Sequence, residues 1–236
     1  SSLEKCASNA WRDIGLSFFH LAGMDGWMDG WNNTRTFPIG EPCITTSCAA
    51  GSKGISLIGQ YGYGIKGFTL SMIETAIEVT EQKVPASVIA ELMEAGREML
   101  AHPIELLPQA KQAVEAAAAT HRVVLITKGD LLDQERKLAQ SGLGDLFDRV
   151  EIVSEKTPEI YAGIFARHGD GAQRALMVGN SMRSDVVPVI EAGGWGVYVP
   201  HGLVWEIEHA EPPEDAPRYR SLADLGGLTE LLAEIG

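Results

Sequence analysis

From Arg122 onward the chain alternates short apolar, β-branched runs with helical stretches, and that order restricts it to a parallel sheet built from βαβ units. Runs at 122–126, 149–153, 175–178 and 195–199 predict strands. Each is nearly continuous in hydrophobicity, as expected of a strand covered on both faces, so all four are expected in the buried centre of the sheet. Helices are expected over 131–140, 158–168 and 183–192, with Thr157 as N-cap ahead of Pro158 in the first turn. Gly142, Gly169 and Gly193 stand just past helix ends, where a left-handed residue is wanted. Ser221 and Asp224 read as a capping box that opens the last helix.

Upstream the pattern changes. Met72, Ala76 and Val79, then Ile89, Leu92, Met93, Gly96 and Leu100, recur at helical spacing with no strand between them. A helical stretch ahead of the first confident strand predicts a cap over the edge of the α/β core. The first 60 residues differ again, since they hold all three cysteines and three of the five tryptophans but only nine charged residues, and the composition breaks near Gln60. Within them only 15–22 has strand character. The expected organisation is an atypical N-terminal segment over 1–60 that supplies the first core strand and the start of the cap, a helical cap over 61–107, and an α/β core over 108–236.

A formal net charge of −13 sets the class of partner. Such a surface repels nucleic acid and anionic lipid, both of which require concentrated Lys and Arg, so neither is expected to bind. No window reaches the roughly 18 apolar residues of a membrane span. Three cysteines, an odd number, fit a reducing compartment, and the expected location is the cytoplasm. The same charge repels phosphate esters, so a phosphate site here needs a lysine, a metal or clustered backbone N–H groups.

Three features supply those groups, each at the C-terminal end of an expected strand, where open α/β sheets place ligands. The first is Thr127-Lys128-Gly129-Asp130, a hydroxyl and a glycine turn ahead of a helix, offering an O–H and unpaired N–H groups to an anion. The second is Lys156, between a strand and the helix that Pro158 opens, where an ammonium can neutralise a phosphoryl group. The third is Gly179-Asn180-Ser181-Met182-Arg183-Ser184-Asp185, in which an amide oxygen and a carboxylate five residues apart can share a hard cation such as Mg²⁺.

In order and spacing, Thr127, Lys156 and the Gly179-Asn180…Asp185 pair resemble the second, third and fourth motifs of the haloacid dehalogenase superfamily. The run 61–68, Tyr-Gly-Tyr-Gly-Ile-Lys-Gly-Phe, is similar to cap sequence of its phosphatase-like members. The resemblance covers about 61–236 and implies a Rossmann-like three-layer sandwich with a helical cap. It further implies a Mg²⁺-dependent hydrolase, acting on a small phosphorylated metabolite through an aspartyl-phosphate. Thr127, with Lys128 and Gly129, would bind the phosphoryl group, Lys156 would balance its charge, and Asn180 and Asp185 would hold Mg²⁺.

The family's first motif, Asp-x-Asp-x-Thr, has no intact counterpart. Its nearest match is Met24-Asp25-Gly26-Trp27, which makes Asp25 the candidate nucleophile and a further metal ligand, with Trp27 where the second acid belongs. Tryptophan cannot pass a proton to a leaving alkoxide, and such assistance is worth about 10²- to 10⁴-fold in rate. Two alternatives follow: a catalytically impaired binding protein of the same fold, and, with less weight, a 2-haloacid dehalogenase, whose relatives use no metal and space the fourth motif differently.

Overall fold

A computed structural model describes residues 60–201 and 209–235, with the backbone of two short strands, β1 (Thr36–Phe37) and β2 (Ile44–Thr45), paired antiparallel. The expected strand at 15–22 and the candidate nucleophile Asp25 lie outside the described residues.

Two helices, α1 (Ile65–Val79) and α2 (Ala86–Ala101), form the expected cap. Ile65, Met72 and Ala76 of α1 bury against Val88, Leu92, Ala95 and Met99 of α2. The helices approach closely at Gly96, where any Cβ would overlap the Thr69 side chain. Ser71 and Thr75 are also buried in α1, and each returns its hydroxyl to the carbonyl four residues back, so neither leaves a donor unsatisfied.

The core follows as α3 (Ala110–Ala118), β3 (Val124–Lys128), α4 (Leu131–Ser141), β4 (Arg149–Val153), α5 (Pro158–His168), β5 (Leu176–Gly179), a wide turn over Met182–Val186, α6 (Val187–Glu191), β6 (Trp195–Tyr198), β7 (Tyr219–Ser221) and α7 (Leu228–Ile235). All pairings here are parallel: β3 with β4, and β5 with β6 with β7. Alternation along β5 makes the layers. Leu176 and Val178 face α3 and α7, while Met177 faces α5 through Tyr161, Ile164 and Phe165. Val124 and Ile126 of β3 join that second cluster, so one helix covers strands from both groups. The result is the expected α/β three-layer sandwich with a parallel sheet and a helical cap. Among the described residues no helix is long and apolar enough to cross a membrane.

Several local expectations fail, each for a physical reason. The last helix does not begin at Ser221, because that residue ends β7 in register with Tyr198. Asp224 instead caps a short 3-10 turn by accepting from the Gly226 N–H at 2.8 Å, and α7 starts at Leu228. β4 is not fully covered, since Arg149 and Val150 are exposed on a strand whose partner among the described residues is β3 alone. Gly142 and Gly193 take the left-handed φ expected of them, but Gly169 is extended and Gly171, at φ 89°, makes the turn. The helix expected over 183–192 is split between the wide turn and α6.

The cap core is the simplest part of this packing to test. Leu92 is fully buried between the two cap helices. Leu92→Ala is expected to lower unfolding free energy by about 2–5 kcal/mol in urea titrations, and a loss below about 1 kcal/mol would contradict the packing described.

Candidate functional site

The ends of β3, β4 and β5 bring the polar groups together. Lys156, three residues beyond β4, crosses to the turn after β5 and places Nζ 2.6 Å from Asp185 Oδ1, with both side chains only 1% exposed. The other carboxylate oxygen of Asp185 accepts the Ser181 backbone N–H at 3.1 Å, while Ser181 Oγ accepts the Ser184 N–H at 2.9 Å. This reciprocal cap holds the first turn after β5. The turn is wider than an α-helix, with the Val186 N–H donating five residues back to Ser181 O at 3.3 Å. Such π-type turns are rare and concentrate at functional sites.

A second lysine arrives from β3. Lys128 is 8% exposed, donates to Ser184 Oγ at 2.7 Å and lies 4.0 Å from the centre of the Tyr63 ring. Two buried ammonium groups thus meet adjacent residues, Ser184 and Asp185, of one turn. Thr127, 1% exposed, directs its hydroxyl to Gln134 Oε1 on α4 at 3.0 Å. Gly129 holds φ at 135° between these residues and the helix, a conformation that side chains rarely adopt. The structure therefore joins Lys156 to Asp185 directly, seats Lys128 beside them, and sets Thr127 at the same strand end with its hydroxyl turned to α4.

The start of α4 also ties the cap to this edge. Asp130, its N-cap, accepts the Asp133 N–H at 3.1 Å and pairs with Lys66 of α1 at 2.8 Å. The Lys66 ammonium holds the Asp130 carboxyl below its ordinary pKa. The pair therefore contributes fully above the unfolded pKa of about 4 and is lost as pH falls through the lowered value. Further along, Arg136 donates to Leu100 O at the end of α2 and pairs with buried Asp133 at 2.7 Å, and Lys137 meets the same carboxylate at 2.9 Å.

Tyr63, Gln134 and Ser184 were not singled out by the sequence. For Gln134 a signal existed: Asp133, Gln134 and Lys137 lie on one helical face, and a polar face that is buried asks for partners.

Among the described residues no group of three His, Cys, Asp or Glu side chains could hold a metal. Asn180 and Asp185 offer an amide and a carboxylate oxygen at one turn, and both residues are buried. Gly179 makes room for this arrangement, because a Cβ there would overlap the Asp185 carboxylate.

A model of haloacid dehalogenase-like hydrolases matches residues 21–193. The chain belongs to this family. A haloacid dehalogenase-like family hydrolase from Xanthomonas campestris is 37% identical, covers 96% of this chain and 92% of its own, and superposes with a TM-score of 0.74. More distant haloacid dehalogenase-like structures share the fold. A predicted phosphoglycolate phosphatase from Haemophilus somnus is 14% identical over 94% of this chain and 97% of its own, with a TM-score of 0.61. The L-2-haloacid dehalogenase from Xanthobacter autotrophicus, with chloropropionic acid covalently bound, is 16% identical over 96% and 99%, with a TM-score of 0.64. No curated protein matches.

In this hydrolase the glycine under the carboxylate is open to a direct test. Gly179→Ala is expected to displace Asp185 from Lys156 and to destabilise the protein by about 1–3 kcal/mol through overpacking. Urea unfolding reads the effect, and a change within about 0.5 kcal/mol, the range of a neutral surface substitution, would show that the carboxylate does not need this space.

Proposed function

We propose that this family member is a Mg²⁺-dependent phosphatase acting in the cytoplasm on a small phosphorylated metabolite, without nucleic-acid or membrane partners. One observation carries the reading: Lys128 and Lys156 bury their ammonium groups against neighbouring residues of one turn at the ligand-binding edge of the sheet. On a chain with net charge −13, that concentration of desolvated cations favours a multiply charged anion, and a phosphate monoester is one.

In this reading Lys156 balances charge on the phosphoryl group, while Thr127, Lys128 and the Gly129 N–H hold its oxygens. Asn180 and Asp185, an amide and a carboxylate on one turn, are hard oxygen donors that would suit Mg²⁺, a cation that takes a few protein oxygens and keeps several waters. Bound Mg²⁺ supplies charge compensation to the phosphoryl oxygens.

Asp25 is the proposed nucleophile and third oxygen ligand, and the family match, which begins at residue 21, supports this placement. Its carboxylate oxygen bonds to phosphorus as the ester P–O bond breaks and the electron pair leaves on the ester oxygen. Water then cleaves the acyl phosphate to free phosphate. Trp27 gives no proton to the departing oxygen, so the reaction depends on leaving groups stable as anions. The same tryptophan favours a second reading, a phosphometabolite-binding protein without turnover.

Initial rates separate these readings. p-Nitrophenyl phosphate, whose leaving group needs no acid, is expected to be hydrolysed in the presence of Mg²⁺, with glycerol phosphate slower by about 10²- to 10⁴-fold. Asp185→Ala is expected to eliminate the Mg²⁺ response. Hydrolysis indifferent to Mg²⁺, or unchanged in that variant, would remove the metal-dependent mechanism. Binding without hydrolysis selects the second reading, and chloride release from 2-chloropropionate without metal selects the dehalogenase.

A further inference from the structure

The Thr127 hydroxyl faces a conflict that its surroundings resolve. A hydroxyl carries one proton, and here both neighbours of Thr127 Oγ1 are acceptors: Gln134 Oε1 at 3.0 Å and Lys128 O at 3.3 Å. The proton is committed to the nearer of them, the amide oxygen. In that state the hydroxyl presents only lone pairs to an arriving anion, and the contact is repulsive.

A glutamine amide carries an acceptor and a donor on one fork, nearly equal in size. A half-turn about its terminal bond replaces Oε1 by Nε2–H opposite Thr127. The amide then donates to Oγ1, and the O–H swings to the anion. The number of hydrogen bonds at the pair stays the same, the proton stays on Oγ1 throughout, and no covalent bond changes. Burial keeps the amide as the partner of the hydroxyl. Gln134 is 6% exposed, so water does not readily replace it as a partner, and its amide lies under Gly129, where a Cβ would come within 2.8 Å of Nε2. The glycine required by the loop's φ of 135° is therefore also the residue that leaves the amide its space.

We propose that Gln134 is a positioning residue of the anion site: its amide holds the Thr127 proton while the site is empty and turns over to release that proton to a tetrahedral oxyanion. This rests on the reading that Thr127 binds a phosphoryl oxygen, and the test separates the two.

The probe is sulfate, whose charge is constant between pH 5 and 8, titrated calorimetrically into the full chain in Mg²⁺ buffer. Gln134→Glu converts the amide into an acceptor that cannot donate while ionised, so it locks the Thr127 proton. At pH 8 sulfate affinity is expected to fall about tenfold or more, the loss of one hydrogen bond to a charged partner, and to recover on acidification as the carboxyl protonates. Because the new charge also repels sulfate, the deciding measurement repeats the substitution in a Thr127→Val background. There most of the tenfold loss is expected to vanish, since no proton remains to be locked. Gln134→Met, which keeps the length of the side chain and neither donates nor accepts strongly, is expected to lose less affinity than Gln134→Glu at pH 8, with a loss that does not change on acidification.

An equal loss from Gln134→Glu with and without the Thr127 hydroxyl overturns the proposal, as does a loss in Gln134→Met as large as in Gln134→Glu. If Thr127→Val alone leaves sulfate binding unchanged, or the unmodified chain holds no sulfate, the underlying reading of Thr127 fails as well.

Discussion

The Lys156–Asp185 ion pair dictates the shape of everything around it. Moving two charges out of water costs several kcal/mol per ion, and only tight geometry with further hydrogen bonds offsets it. At 2.6 Å, with Asp185 also accepting the Ser181 N–H, the structure meets that condition. Meeting it demands a glycine at 179, so that the carboxylate can lie against the end of β5, and a turn wide enough to bring Asp185 back over its own N-terminus. Removing one partner would strand the other in a dry site, which is costlier than never having buried the pair. The fold supplies the strand ends, and this pair fixes how they meet.

A second organising element is the first half of α4. Over seven residues it uses Asp130 to hold the first turn of the cap, Asp133 and Arg136 to hold the Leu100 carbonyl in the cap's last turn, and Gln134 to hold Thr127. Two of the contacts between cap and core therefore rest on the helix that also carries the partner of the candidate anion-binding hydroxyl. The polar inner face of α4 is the physical basis of that role. Leucines in place of Asp133 and Gln134 would pack but could neither hold the Arg136 guanidinium that reaches the cap nor accept the Thr127 hydroxyl.

Much of this was legible in the sequence, because the strands of βαβ units leave short β-branched, apolar runs between helical stretches. Arg149–Val153 and Pro158–His168 fall where hydrophobicity, the Thr157 cap and Pro158 place them. Lys156 and Asp185 were legible as candidates because each follows a strand end at which α/β sheets bind ligands. What was not legible depends on tertiary contacts. β7 has three residues and is defined by its pairing with β6, so the Ser221–Asp224 pattern was read as a helix start. Ser184 looked like any residue near a helix N-terminus until Lys128 was seen to reach it across 56 positions. Tyr63 gave no periodic signal, and its place over the Lys128 ammonium comes from the docking of the cap.

These two contacts of the cap with α4 are made of different physical material. On one side stands Lys66–Asp130, whose lysine side chain is 50% exposed, and on the other a guanidinium donates to the Leu100 carbonyl from a side chain 28% exposed. Mobile ions screen the first far more than the second, since the Debye length shrinks from about 10 Å at 0.1 M to about 3 Å at 1 M and exposed pairs feel it most. Rising ionic strength therefore weakens the Lys66–Asp130 contact more than the one between Arg136 and the Leu100 carbonyl.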